Sequence, residues 1–567
     1  MQDSSNPQVQ IAYFSMEVGL TARIPTYSGG LGVLAGDTLR AAADMGLPLV
    51  GVTMLHRQGF FQQTINADGQ QQVAPVEWTP SEHLERIEHP RVTVEIEGRT
   101  VAIQTWRLSL KGIDGHVIPI LYLDVDVDGN DEGDRRFTDH LYGGDERYRL
   151  AQEIILGIGG RRVLAALGLA PRVYHMNEGH SSLLALDLLR AKLDELGDER
   201  LDDAVAKVRE SCVFTTHTPV PAGHDSFSRE LAQRVLGEPG LALFSRLPGQ
   251  AHAELNMSHL GLALSGFVNG VARRHGEVSR EMFPGHEIHA ITNGVHSSSW
   301  TSEPFRALFD RLIPQWRHQN YALRHAERIP LPEIVDAHAK AKRLLLDEVT
   351  KRCGVELDPE VFTIGYARRA TAYKRPTLLF RDFQRLQHIA ERHGRLQVLY
   401  SGKAHPRDME GQRLIAEIHR LRERCGPNIQ LVYIPGYNMD LGLLLTSGVD
   451  LWLNTPRAPL EASGTSGMKA SHNGVPNLST RDGWWVEGCI IGHTGWAIEP
   501  IGHHGDDADA AEADQLYRLL DEVILPLFRT DSTKWAEVMR GSISLAASYF
   551  NAQRMLDEYR VRAYGLA

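Results

Sequence analysis

The residues best suited to covalent chemistry lie in one stretch, Glu461-Ala462-Ser463-Gly464-Thr465-Ser466-Gly467-Met468-Lys469. The small residues between Ser463 and Gly467 let backbone N–H groups come close to an anion where a helix begins. Residue spacing predicts a short helix over 468–473, stopped by Gly474, with Lys469 in its first turn. An amine near a helix N-terminus and inside a walled pocket loses part of its preference for the charged form. A lysine that is neutral part of the time can condense with an aldehyde to a Schiff base. On residues alone the stretch also reads as a surface turn carrying a solvated charge. A nucleotide-binding P-loop is excluded, because Ala470 follows Lys469 and Met468 separates it from Gly467.

A second concentration of charge, Arg368-Arg369 and Tyr373-Lys374-Arg375, follows a predicted strand over 361–366. Four cations in eight residues at a strand's carboxyl end suit two phosphate groups held at once. A basic helix start at the surface is the other reading. Lys403, in Ser401-Gly402-Lys403, follows a further strand end. Ser28-Gly29-Gly30-Leu31-Gly32 lies between a predicted strand over 11–15 and a predicted helix over 33–45. Such a glycine loop either binds a ligand at the sheet's carboxyl edge or makes a tight turn.

Polar groups recur at three more strand ends, in Asn177-Glu178-Gly179-His180, Thr216-His217 and Asn293-Gly294. The histidines there and nearby (His175, His180, His217, His224, His296) come from separate strands, without an HExxH helix or compact ligand spacing. No metal site is expected, and hydrogen bonding to a polyhydroxylated ligand fits them better.

Positioning these groups takes more than one core. The chain has 567 residues, 42% hydrophobic and 23% charged, so two domains are expected. A net charge of −11 argues against nucleic acid or an acidic membrane as partner. The opening residues are polar, and no apolar run is long enough to span a membrane. Cys212, Cys353, Cys425 and Cys489 lie far apart, which reads as reduced packing residues in a cytoplasmic chain. Alternating strands and helices indicate α/β structure with doubly wound parallel sheets. The expected division is a first domain over 1–315, a crossing over 316–340, a second domain over 341–530, and a terminal helix over 531–567 packed across the joint. Residues 92–128 are expected as strands decorating the first domain, and 503–507 as a solvated loop.

Taken together and in order, these motifs are similar to those of the α-glucan (glycogen and maltodextrin) phosphorylases, specifically their short bacterial and archaeal branch. The resemblance runs from Ile11 to Glu487. It implies two facing Rossmann-like domains of the GT-B glycosyltransferase type, with pyridoxal 5′-phosphate bound to Lys469. It implies that Gly30, Arg368, Thr465 and Ser466 hold the cofactor phosphate. Arg369 and Lys374, helped by the Gly30 backbone, would hold inorganic phosphate or the phosphate of glucose 1-phosphate. His217, Asn293 and Glu461 match positions that contact the glucosyl unit, with Ser463 and Gly464 as backbone donors.

The implied reaction is reversible phosphorolysis of a terminal α-1,4-linked glucose with retention, the cofactor phosphate shuttling a proton. Partners would be glucan and phosphate, with a homodimer left open. A nucleotide-sugar glucosyltransferase of the same architecture and a silent glycan-binding protein are the rival readings. Departures from the pattern are Arg368, where longer relatives have lysine, and Ser471-His472, Val475-Pro476 and Thr480-Arg481 around the cofactor helix. The regulatory amino-terminal extension and part of the carboxyl-terminal region of longer relatives have no counterpart.

Overall fold

The structure is a computed structural model and describes residues 9–220, 223–502 and 505–566. The predicted solvated loop falls partly on His503-His504, and the polar opening on residues 1–8, all outside the described residues. Two compact units are present. The first comprises residues 9–61, Pro75–Ile291 and the chain from Leu556 on, and the second comprises Gln62–Ala74 and Thr292–Met555. Among the described residues no helix is long and apolar enough to cross a membrane.

The first unit contains a nine-stranded sheet. From one edge its strands are His289–Ala290, Phe267–Gly270, Cys212–Thr215, Val173–Asn177, Ile11–Ser15, Leu49–Met54 and Val117–Asp124, all parallel. Arg99–Lys111 and Glu85–Ile96 continue it antiparallel, so residues expected as decoration extend the main sheet. Ile11–Ser15 and Leu49–Met54 are buried along their whole length, as strands covered on both faces must be. The helix Gly30–Asp44 begins at the glycine loop itself. Its Gly36 is forced by close approach: a Cβ there would lie 1.9 Å from the Gly19 carbonyl oxygen.

The second unit is a six-stranded parallel sheet in the order Ile429–Ile434, Leu396–Ser401, Phe362–Ala367, Leu451–Asn454, Asn477–Thr480, Gly495–Ile498. This 3-2-1-4-5-6 order is doubly wound, and strand order reverses between Phe362–Ala367 and Leu451–Asn454. Open α/β sheets bind ligands beyond the carboxyl ends of the two strands at such a switch point.

Three expectations are corrected. The stretch 316–340 is not a crossing: it forms the 3₁₀ run Asn320–Arg328 and the start of the helix Leu331–Cys353. Trp316, Leu323, Ala326, Ile329 and Ile334 are buried in the second unit's own core. Proline there opens a helix, where its missing N–H costs nothing. The chain instead passes between units after Ile291, and an early hairpin, Gln62–Ile65 with Gln71–Ala74, belongs to the second unit. Gln63 Nε2 donates to the Gly402 carbonyl at 2.9 Å, and Gln71 Nε2 to that of Ala404 at 2.9 Å.

The acidic residues from Asp506 on form a helix, Asp506–Arg518, rather than a solvated loop. Asp509 and Glu512 on it pair with Arg375, at 2.8 and 2.5 Å. The terminal segment is not one helix either. Ser532–Gly541 packs Trp535, Val538 and Met539 into the second unit. Ala552–Arg562 leads into the first, where the Tyr559 hydroxyl accepts from Asn269 Nδ2 at 2.9 Å and that of Tyr564 lies 2.7 Å from His175 Nδ1.

Candidate active site

Each of the loops rich in chemistry in the second unit leaves a strand at or beside the switch point. Arg368 and Lys374 follow Phe362–Ala367, Glu461 to Lys469 follow Leu451–Asn454, and Asp482 follows Asn477–Thr480. Arg368 Nη2 donates to Glu461 Oε2 at 2.7 Å, and Lys374 Nζ donates to the same oxygen at 2.5 Å. Burial alone would push the Glu461 carboxyl up, but the two cations outweigh it and hold the group below the ordinary range. Lys374 also lies 4.6 Å from the Tyr373 ring centroid. Its backbone carbonyl accepts from the hydroxyls of Tyr366 and Thr455, which fixes where the amine starts from.

The cationic motif divides. Arg369 is exposed. Arg375 turns away in the left-handed region, φ 46°, and donates to the carbonyls of Thr455 and Pro456 at 2.8 Å besides its two acidic partners. It fastens the loop instead of adding to the anion surface. Two polar atoms of the site remain unsaturated: Arg368 Nη1 and Ser463 Oγ are buried without a hydrogen-bond partner. A buried guanidinium donor left open is costly unless something anionic or polar meets it.

Lys469 is buried, its amine 3.7 Å from the Trp300 ring centroid. The helix carrying it is Ser466–Ser471, two residues earlier than expected, so Lys469 sits in the last turn and not the first. The helix dipole there favours positive charge, the opposite of what a first-turn position would give. Ser471 and His472, which depart from the family pattern, and Asn473 beside them are structural fasteners. Ser471 Oγ donates to the Gly467 carbonyl at 3.0 Å, and Asn473 Nδ2 to the Trp300 carbonyl at 2.7 Å. Burial pushes His472 down to about 4. Its Nδ1 therefore donates to the Met468 carbonyl and its Nε2 accepts from Ser297 Oγ at 2.9 Å. Ser466 Oγ is likewise engaged, accepting from Trp452 Nε1 at 3.0 Å. Thr465 precedes the helix without a side-chain capping bond, and Gly464 holds φ 79°.

Asn293 is held by a different set of contacts. Arg554 donates to the carbonyls of Thr292 and Asn293 at 2.7 and 3.0 Å and stacks 4.7 Å over Tyr549. The Thr292 hydroxyl bonds Glu487 at 2.9 Å, and Asn293 Oδ1 is buried without a partner. Replacing Arg554 with alanine removes the hydrogen bonds that a charged donor makes to the carbonyls of Thr292, Asn293 and Tyr549. A loss of about 2–3 kcal/mol is expected, read as a lower denaturation midpoint.

Gly30 and His217 belong to the first unit. Gly30 is the exposed first residue of its helix. Burial pushes His217 down to about 3, so its ring is neutral. Its Nε2 donates to Asn177 Oδ1 at 2.6 Å, leaving Nδ1 to accept. Glu178 holds a left-handed φ of 78°, a strain of about 1–3 kcal/mol. Its carboxylate accepts from the N–H groups of Gly179 and His217 and from Thr218. Sequence reasoning quoted Glu178 within a motif but gave no role to it, to Trp300, to Arg554 or to Asp482.

Known proteins can now be set beside this arrangement. Residues 225–515 match the family model described as carbohydrate phosphorylase. A maltodextrin phosphorylase of Thermococcus litoralis is 36% identical, over 98% of this chain and 70% of its own. A glycogen phosphorylase of Mycobacterium tuberculosis is 35% identical over 98% and 71%, and one of Aquifex aeolicus 32% over 98% and 86%.

Proposed function

The chain belongs to the carbohydrate phosphorylase family, and we propose from that premise that it catalyses reversible phosphorolysis of the terminal α-1,4-linked glucose of maltodextrin or glycogen. The observation that carries this reading is the pairing of Arg368 and Lys374 on Glu461 at the switch point, beside the loop leading to buried Lys469. In the reaction the C1–O bond to the next sugar breaks, a C1–O bond to phosphate forms, and the departing 4-hydroxyl takes a proton from the phosphate. The product is α-glucose 1-phosphate, with configuration retained.

Lys374 and the exposed Arg369 would hold the substrate phosphate. Glu461, ionised between its cations, accepts hydrogen bonds from sugar hydroxyls and needs no nucleophilic role. Ser463 and Gly464 add backbone donors, Asn293 offers its open amide oxygen, and His217 a neutral ring. No second carboxylate of the glycosidase kind is required, since phosphate is the nucleophile.

The residues present also fit pyridoxal 5′-phosphate. Lys469 offers a buried amine against an aromatic ring, and Arg368 Nη1 an open donor for a phosphate oxygen. Arg368 and the backbone of Thr465 and Ser466 would hold its phosphate, and Lys469 its aldehyde. When bound, the cofactor supplies a phosphate group able to exchange a proton with the substrate phosphate. The surrounding cations serve that exchange by lowering the repulsion between two phosphates. The two units match in number the domains of a GT-B glycosyltransferase, the architecture we assign.

Purified protein loaded with pyridoxal phosphate, given maltohexaose and inorganic phosphate, is expected to release glucose 1-phosphate in proportion to chain shortening. Turnover that needs UDP- or ADP-glucose instead would place it among nucleotide-sugar transferases. Glucan binding with no sugar phosphate at any phosphate concentration would make it a binding protein.

A further inference from the structure

We propose that Asp482 is a positioning residue for Glu461, gripping the backbone of the sugar-binding loop from the neighbouring strand end; this rests on the phosphorolysis reading above. The Asp482 side chain is buried, and Arg368 and Lys374 pair with the Glu461 carboxylate. Its Oδ2 accepts the Glu461 N–H at 2.8 Å, and its Oδ1 accepts that of Gly483 at 2.8 Å. The turn then reaches the loop a second time: the Trp484 N–H donates to the Ser463 carbonyl at 2.9 Å.

The approach is too close for a side chain at Gly483, where φ is 54° and a Cβ would lie 2.3 Å from the Ser463 carbonyl oxygen. Glu461 to Ser463 is thus held at both ends by 482–484. An irregular buried loop has no ladder to satisfy its N–H groups, and Asp482 supplies the missing acceptor. Glu461 meanwhile is pulled by two cations. Without a fixed backbone its carboxylate could follow them and leave the sugar hydroxyls, and displacements near 1 Å cost about 10²-fold in such sites.

Burial pushes the Asp482 carboxyl up to about 7; the two backbone N–H groups oppose the shift, the Glu461 charge adds to it, and Lys374 counters it. Those are the charged groups facing it from the adjoining loops. Above neutral pH both oxygens accept. Below it one oxygen carries a proton, an acceptor is lost, and the grip on Glu461 slackens.

The test uses Asp482→Asn and Asp482→Ala in the cofactor-loaded enzyme, with inhibition by D-glucose as an uncharged probe of the sugar site. Melting temperature, KM and kcat are measured alongside from pH 6 to 8. For the parent, the glucose inhibition constant is expected to fall as pH rises through 7. In Asp482→Asn that dependence should vanish, and Asp482→Ala should raise the constant about tenfold, with asparagine restoring part of it because its amide oxygen still accepts one N–H. A lower melting temperature with unchanged glucose affinity and pH dependence would overturn the proposal. If the alanine variant does not fold, the asparagine variant decides, and a parent-like pH profile there overturns it as well. A parent enzyme that binds glucose but releases no glucose 1-phosphate would instead defeat the phosphorolysis reading.

Discussion

Lys469→Ala is expected to abolish phosphate-dependent release of glucose 1-phosphate, by at least about 10³-fold, without unfolding the second unit. The fold is spared because the helix Ser466–Ser471 is fastened by other residues. His472 and Asn473 tie it to Ser297 and Trp300, and Asn477 Nδ2 donates to the Gly467 carbonyl within it. What the variant loses structurally is a cation over the Trp300 ring, worth roughly 0.5–2 kcal/mol. Lys469→Arg is the sharper control. It keeps the charge and the aromatic contact but not a condensing amine, so it should be as inactive as alanine. An arginine variant with parent-like turnover would mean that Lys469 acts only as a charge.

Removing Glu461 has the next largest effect, and it reaches stability as well as turnover. In Glu461→Ala the cations Arg368 and Lys374, both mostly buried, lose the carboxylate they share. Breaking such a pair from one side costs about 3–5 kcal/mol. A phosphate ion can take the carboxylate's place, so added inorganic phosphate should recover more stability in the variant than in the parent. At 100 times its dissociation constant the gain is about 2.7 kcal/mol. Melting curves with and without phosphate check this, and equal phosphate shifts in both proteins would refute it. Turnover should fall about 10²-fold or more with the loss of sugar contacts.

The pH dependence has a definite sign. Burial raises the Glu461 carboxyl, yet Arg368 and Lys374 hold it below its unfolded value. Its contribution is therefore full above the ordinary carboxylate range, near 4.3, and fades as pH falls through the lowered value. Glu461→Gln should lack that acid limb in a stability profile.

Much of this was legible in the residues, for definite reasons. Phe362–Ala367, Leu396–Ser401 and Ile429–Ile434 are apolar runs between helical patterns, and such runs form strands buried on both faces. The cation cluster stood out because it follows Phe362–Ala367, and Lys469 because its glycine-rich loop follows Leu451–Asn454. Asn477–Thr480 did not, since asparagine, serine and threonine carry no strand pattern. It is buried because Asn477 Nδ2 bonds the Gly467 carbonyl at 3.2 Å and Ser471 at 3.3 Å. With that strand unseen, Asp482 had no position from which to be read as part of the site. Trp300 and Arg554 escaped notice for another reason. Their partners Lys469 and Asn293 lie more than a hundred residues away in sequence, and no local pattern reports such a pairing. The boundary at Ile291 was displaced because charge and proline over 316–340 mark helix starts as readily as linkers.

Borohydride reduction of the protein loaded with pyridoxal phosphate, followed by peptide mapping, tests the central claim most directly. The account predicts one reduced pyridoxyl phosphate group, on the peptide containing Lys469. A label on another lysine, or no stable label in a preparation that still releases glucose 1-phosphate, would contradict it.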